Sequence, residues 1–221
     1  SIEGKLVKPD FYLLIPSLIL KGNKKLKASA GFDAIAQSLE SIISRKSNNF
    51  SLNYAKKSLK LSLKYYLDFL KNPNKDNTYA MALAANLSGK AIDISKTTAP
   101  HAISYPFTSL YGISHGHAVS LTLEKFFYFN YANKESSNVG FNLNNRFKTI
   151  FNLSNVKNIN EFTDYISRIK KSANLDDNFQ NLGINIKGNL SKIISSVNIQ
   201  RLSNNPIELN QNDLKDILLK K

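Results

Sequence analysis

The sequence contains no cysteine among its 221 residues. Disulfide bonds and thiolate catalysis are therefore excluded, and a bound metal would need nitrogen or oxygen ligands. The absence of cysteine also agrees with a reducing cytoplasm, which is the location we expect.

Long hydrophobic runs are missing as well. A membrane helix needs about 18 consecutive apolar residues, whereas the longest early run, 11–20, is interrupted by Pro16. No stretch has the basic start and small-residue cleavage site of a signal peptide. Apolar residues make up 42% of the chain, which is ordinary for a globular protein, and we expect no membrane partner.

Acidic residues are few relative to basic ones, 16 against 30, which gives a formal net charge of +14. Clustered Lys and Arg attract the phosphates of nucleic acids, but these lysines are scattered through nearly every polar stretch. The one dense basic stretch, 21–27, lacks the interleaved aromatic residues of a single-strand platform. We interpret it as a solvated turn before a helix and expect no nucleic-acid partner.

Helical periodicity dominates from Lys24 onward, and the alternation typical of strands is scarce. Ser51 is the predicted N-cap of the clearest helix, Asn72-Pro73-Asn74 its predicted end, and Asn210 the N-cap of the last helix. The predicted fold is therefore all-α, with helices near residues 32–46, 51–71, 77–96, 99–111, 116–132, 143–152, 159–173, 187–197 and 211–220.

The first twenty residues have a different character. Residues 11–15 (FYLLI) form a short β-prone run that Pro16 closes. An isolated strand needs sheet neighbours that this chain does not supply, so we expect the natural protein to continue upstream of Ser1. We accordingly predict an N-terminal strand or extended segment within residues 1–23 and a helical domain over residues 24–221.

All three histidines, His101, His115 and His117, lie within seventeen positions. His101 falls in one predicted helix and His115 opens the next after a Gly-containing turn, so the intervening loop could bring them together. On a helix, His117 points about 200° away from His115, so only one of that pair should face a shared site. The alternative is that the histidines are core packing.

Asp33 is a candidate third metal ligand, and Gln37 lies one helical turn later on the same face. The alternative for Asp33 is an acidic residue that complements the dipole in the first turn of a helix. Gln37 would then simply face solvent.

Three blocks of sequence stand out: AGFDAIAQSLE at 30–40, TTAPHAISYP at 97–106 and YGISHGHAV at 111–119. They resemble segments of the iron-containing (group III) alcohol dehydrogenases. The first is similar to the family segment A-G-[MF]-D-A-[LI]-x-[HQ]-x-[IL]-E. The second and third resemble the family's paired histidine blocks. Order and spacing also match, which makes a chance agreement of all three improbable.

The resemblance implies a Rossmann-like N-terminal domain followed by a helical domain, with Fe²⁺ or Zn²⁺ in the cleft between them. This chain would be the helical domain, and residues 1–23 the linker from the first. Asp33, His101 and His115 would bind the metal. Gln37 stands where many members have the remaining histidine, and its amide oxygen would be a weaker, neutral fourth ligand. Tyr105 takes the place of a second histidine near the substrate, so it is a candidate substrate contact and proton relay through that histidine does not carry over.

The reaction that the resemblance implies is hydride transfer between an alcohol or aldehyde and a nicotinamide cofactor, with the metal polarising the substrate oxygen. NAD(P) would be bound mainly by the missing domain, because this chain has no glycine-rich phosphate loop. The isolated chain is therefore expected to be inactive. A homodimer is compatible with the sequence.

The substrate that the resemblance implies is a small alcohol or aldehyde. Residues 88–100 together with Gln37 most resemble the phosphonoacetaldehyde-reductase-like members of the family. A phosphonate-bearing substrate is therefore one candidate, with Lys90 or Lys96 as its anion partner.

Two other readings stay open. One is a non-enzymatic helical binding module whose basic surface meets an acidic partner. The other is a relative of dehydroquinate synthase, a lyase of the same architecture, although those enzymes normally have Glu where this chain has Asp33.

Overall fold

A computed structural model of the chain describes residues 9–197 and 199–220, without the side chain of Gln200. Over these residues the fold is all-α, as predicted, and contains no strand. A 3-10 turn covers Lys134–Ser136. The helices are α1 Pro16–Leu20, α2 Lys24–Ile43, α3 Asn49–Lys71, α4 Lys75–Ser95, α5 Ala99–Tyr111, α6 His115–Ser120, α7 Leu123–Ala132, α8 Leu143–Ser154, α9 Ile159–Ser172, α10 Ile186–Ser195, α11 Ile199–Leu202 and α12 Gln211–Leu219.

Helix α2 is the centre of the domain. It packs against α3, α4, α6 and α8, so it is buried on most of its faces. Small side chains on α2 make this possible, because they allow the neighbouring helices to approach closely. A helix that is covered on one side only would need a single apolar stripe. One hydrophobic core surrounds α2, α3 and α7–α9, and a second lies among α5, α6, α10 and α12.

Of the three helix ends that were predicted from particular residues, two are correct. Asn210 caps α12, and Asn72 is the C-cap of α3. The prediction of Ser51 as the N-cap of α3 is wrong by one turn. Asn48 is the cap, its side chain accepts from the backbone N–H of Phe50 and Ser51, and Ser51 returns the bond at the third helical position.

Helix α2 begins at Lys24, earlier than the predicted 32, because the side chain of Asn23 caps it. Asp33 therefore lies in the middle of α2, and a first-turn dipole role does not apply to it. The predicted helix 116–132 is two helices, α6 and α7, which are separated at Leu121 and Thr122.

The N-terminal segment forms no strand within its described part. Residues 11–15 have no regular secondary structure, and Pro16–Leu20 form the short helix α1 inside the stretch expected to be extended. Residues 1–8 of the predicted linker and Lys221 of the predicted helical domain lie outside the described residues. None of the described helices is long and apolar enough to cross a membrane. The cytoplasmic location and the homodimer stay predictions.

Candidate metal centre

Three distant segments meet beside α2. Asp33 lies in the middle of α2, His101 in the first turn of α5 and His115 at the first position of α6. One ligand atom from each lies within 4.8 Å of the others. Asp33 Oδ1 is 3.3 Å from His101 Nε2 and 3.8 Å from His115 Nε2. The predicted convergence of these three side chains is therefore what the structure shows.

Two glycines bring His115 to this position. Gly112 ends α5 in the left-handed conformation (φ 66°), which turns the chain back toward α2. Gly116 then lies directly on α2, where an added Cβ would be 2.0 Å from the carbonyl oxygen of Ser29 and 2.8 Å from Asp33 Cβ. No other residue permits so close an approach, and His115 reaches Asp33 because of it.

Glu40 fixes the orientation of His101. Its carboxylate is fully buried, Oε1 lies 2.5 Å from His101 Nδ1, and Oε2 accepts hydrogen bonds from the backbone N–H and hydroxyl of Thr98 at 2.7 and 2.8 Å. A carboxylate that accepts from Nδ1–H leaves Nε2 of the ring for coordination. Nε2 of His101 is the atom that faces Asp33.

Gln37 contacts Asp33 but turns its amide oxygen away from it. Its Nε2 donates to Asp33 Oδ2 at 2.7 Å, and its Oε1 accepts from the hydroxyl of Ser88 on α4 at 2.8 Å. The amide therefore holds one carboxylate oxygen of Asp33 and leaves Oδ1 facing the two histidines.

Asp33 Oδ1 and His101 Nε2 are both buried and without a hydrogen-bond partner, because their 3.3 Å contact lacks hydrogen-bond geometry. Burying such atoms unpaired costs free energy. A divalent cation bound by both atoms and by His115 Nε2 would remove that cost. One carboxylate and two imidazoles also suit Fe²⁺ or Zn²⁺, so the residues present fit the implied metal.

The electrostatics of the cluster favour positive charge between the carboxylates. Burial lowers the pKa of His101, but the charges of Glu40 and Asp33 outweigh it and raise that pKa to about 10. The pKa of His115 is lowered, first by burial and then by the charges of His101 and Arg201 against the opposing pull of Asp33. His115 is therefore neutral near pH 7, the form in which an imidazole binds a metal.

Tyr105 and Arg201 lie on the exposed side of the cluster. The ring of Tyr105, 38% exposed, is 5.7 Å from the ring of His115, and the guanidinium of Arg201 lies over Tyr105 at 5.0 Å. His117 turns away, as predicted, with Nε2 2.6 Å from the carbonyl oxygen of Asp176.

Sequence reasoning did not identify Glu40, Ser88 and Arg201 as residues around the cluster. Glu40 carried a usable signal, because it follows Asp33 by two helical turns and so shares its face of α2. Arg201 carried none, since it is far from the other residues in the chain.

An all-helical domain with a partly buried carboxylate and two histidines gathered at one side defines a candidate metal-binding domain. The chain belongs to the iron-containing alcohol dehydrogenases: the model for "Fe-containing alcohol dehydrogenase family, C-terminal" matches residues 27–221. Phosphonoacetaldehyde reductase of Streptomyces viridochromogenes is 33% identical over 134 residues, which are 60% of this chain and 34% of that protein.

Solved structures of other enzymes share the fold. Sulfoacetaldehyde reductase from Bifidobacterium kashiwanohense, in complex with NAD+, has a TM-score of 0.78 and 26% identity over 92% of this chain and 52% of that one. The iron-containing alcohol dehydrogenase of Thermococcus thioreducens has a TM-score of 0.84 and 17% identity, covering 99% of this chain and 56% of that one. This chain thus spans about a third to a half of the length of these relatives.

Proposed function

We propose that this chain is the metal-binding half of an NAD(P)-dependent alcohol dehydrogenase or aldehyde reductase. Asp33, His101 and His115 hold Fe²⁺ or Zn²⁺. The observation that carries the proposal is the pair of buried, unpartnered atoms, Asp33 Oδ1 and His101 Nε2, which lie beside Nε2 of His115. When bound, the metal supplies Lewis acidity that polarises the oxygen of the alcohol or aldehyde.

The residues around the cluster orient the side chains that would bind the metal. Glu40 holds His101 with Nε2 toward the site, and Gln37 holds Asp33 with Oδ1 toward the site. Tyr105 borders His115 on the exposed side, where a substrate would approach, and we assign it a substrate contact. The chain's own contribution is thus to fix ligand geometry before the substrate arrives.

Gln37, which the family resemblance offers as a fourth ligand, is proposed instead to orient Asp33. Replacing Ser88 by alanine releases the amide oxygen of Gln37 and should weaken metal binding by up to about tenfold, because Asp33 loses its fixed rotamer. Competition with a chromophoric chelator measures this. Ser95→Ala is the control, since Ser95 also bonds α2 from α4, through Ser41, but outside the cluster. Tighter metal binding in Ser88→Ala would instead indicate that the freed oxygen of Gln37 acts as a ligand.

The nicotinamide cofactor would be held mainly by a nucleotide-binding domain outside these 221 residues, since they contain no glycine-rich phosphate loop. We expect the chain alone to bind no NADH or NADPH at 0.15 M salt, where exposed lysines are screened over about 8 Å. Joined to that domain and loaded with metal, it should oxidise NAD(P)H with a small aldehyde.

Calorimetry on the chain and a spectrophotometric assay of the complete enzyme check both expectations. Micromolar cofactor binding by the isolated chain would place the nucleotide site inside it. A metal-loaded complete enzyme without activity on any small aldehyde, or with activity unchanged by His115→Ala, would contradict the proposed function itself.

A further inference from the structure

We propose that Arg201 binds an anionic group on the substrate, so that the preferred substrates are small aldehydes with a phosphonate or sulfonate next to the carbonyl carbon. The inference rests on the proposed function and adds to it the residue that selects the substrate. Tetrahedral oxyanions are the shared chemistry of the two groups.

The position of Arg201 carries the inference. Its guanidinium lies 5.0 Å above the ring of Tyr105, and that ring is 5.7 Å from the ring of the candidate ligand His115. A permanent positive charge therefore borders the exposed side of the metal cluster, where a substrate would approach.

Arg201 is also held in place. Its guanidinium donates to the hydroxyl of Thr97 at 3.4 Å. The buried amide of Asn204, just after α11, donates to the carbonyl oxygens of Ser95 and Thr97 at 2.8 Å each, which ties the end of α11 to the loop between α4 and α5. Stacking on Tyr105 uses the face of the guanidinium, while its N–H donors lie in the plane.

A guanidinium in this arrangement suits phosphonate and sulfonate chemically. Its planar fork can donate two parallel hydrogen bonds to two oxygens of a tetrahedral anion, which a lysine ammonium cannot reproduce. An anionic substrate group at this place would form charge-assisted hydrogen bonds with Arg201, which are stronger than the neutral ones that an uncharged aldehyde could form.

Lys90, one of the two lysines that the sequence offered for this role, is engaged elsewhere. Its ammonium lies over the rings of Tyr12 and Tyr54, at 4.4 and 6.0 Å, and neither ring belongs to the cluster. Two relatives support the substrate class, since their names, phosphonoacetaldehyde reductase and sulfoacetaldehyde reductase, both specify an aldehyde with such an anion.

The experiment compares phosphonoacetaldehyde and sulfoacetaldehyde with propanal, in which an uncharged methyl group replaces the tetrahedral anion, using the complete metal-loaded enzyme. Arg201→Met should lower kcat/KM for the two anionic aldehydes by about 100-fold, and the loss with propanal should be at least tenfold smaller. For Arg201→Lys, kcat/KM with the anionic aldehydes should lie between the values of the wild type and Arg201→Met, because lysine restores the charge without the planar fork. Lys90→Met, the matched control, should leave the preference for anionic aldehydes as it is in the wild type.

Calorimetry with phosphonoacetate, an unreactive probe, gives a readout independent of turnover. Its affinity should drop at least tenfold in Arg201→Met and not in Lys90→Met. The assignment would be overturned if Arg201→Met lost the same factor in kcat/KM with all three aldehydes, or if it still bound phosphonoacetate as the wild type does. A wild-type enzyme that binds phosphonoacetate through Arg201 but reduces none of the aldehydes would contradict the proposed reaction and keep the anion site.

Discussion

Replacing His115 by alanine is expected to abolish the rise in thermal stability that Zn²⁺ or Fe²⁺ gives to the wild-type chain. A ligand that binds only the folded state at 100 times its Kd adds about 2.7 kcal/mol, or roughly 5–10 °C in Tm for a chain of this length. His115 is one of the three proposed protein ligands and lies at the exposed edge of the cluster, so we expect its loss to remove metal affinity with little disturbance of the core. Differential scanning calorimetry with and without metal measures the shift.

His117→Ala is the matched control for this experiment. His117 lies two residues further along, and its Nε2 contacts the carbonyl oxygen of Asp176 rather than the cluster. The metal-induced shift should survive in this variant. A shift retained in His115→Ala and lost in His117→Ala would show that the ligand was assigned to the wrong histidine. Absence of any shift in the wild type at millimolar metal would contradict a preformed site.

Replacing Gly116 by alanine is expected to destabilise the domain by about 3 kcal/mol or more, at the upper end of overpacking costs. The added Cβ would be 2.0 Å from the carbonyl oxygen of Ser29, a backbone atom of the central helix α2. Neither helix can move away without losing core contacts, and α6 carries His115. The metal-induced stabilisation should therefore fall together with the stability.

Gly89→Ala is the control for the loss of a glycine. An added Cβ at Gly89, inside α4, meets no atom within 4 Å, so this variant should gain up to about 1 kcal/mol from helix propensity. Denaturant unfolding of both variants measures the difference. Equal stability of Gly116→Ala and Gly89→Ala would mean that α6 does not need its close approach to α2.

Helix type could be predicted from the sequence because it depends on neighbours three and four residues apart. The all-α fold, the end of α3 at Asn72 and the cap of α12 at Asn210 follow from such local patterns. The start of α3 was placed one turn late, since Asn48 and Ser51 are both good caps and only the folded backbone shows which one leads.

Asp33, His101 and His115 were chosen as candidate ligands from the resemblance of their sequence blocks to one family, and the structure brings them together. The sequence did not reveal that the nitrogen of Gln37 faces Asp33 while its oxygen faces Ser88. Which end of an amide points where depends on a partner 51 residues away on another helix.

The sequence by itself thus determined the helical character of the chain, the family to which it belongs and the three residues at the centre of the candidate site. Only the tertiary structure decided that Glu40 holds His101, that Gly116 lets α6 touch α2, and that Arg201 lies over Tyr105 beside His115. The physical reason is the separation along the chain of the residues that interact. Periodicity and capping are set within a few residues, whereas these contacts exist only after segments far apart in the chain have packed against one another.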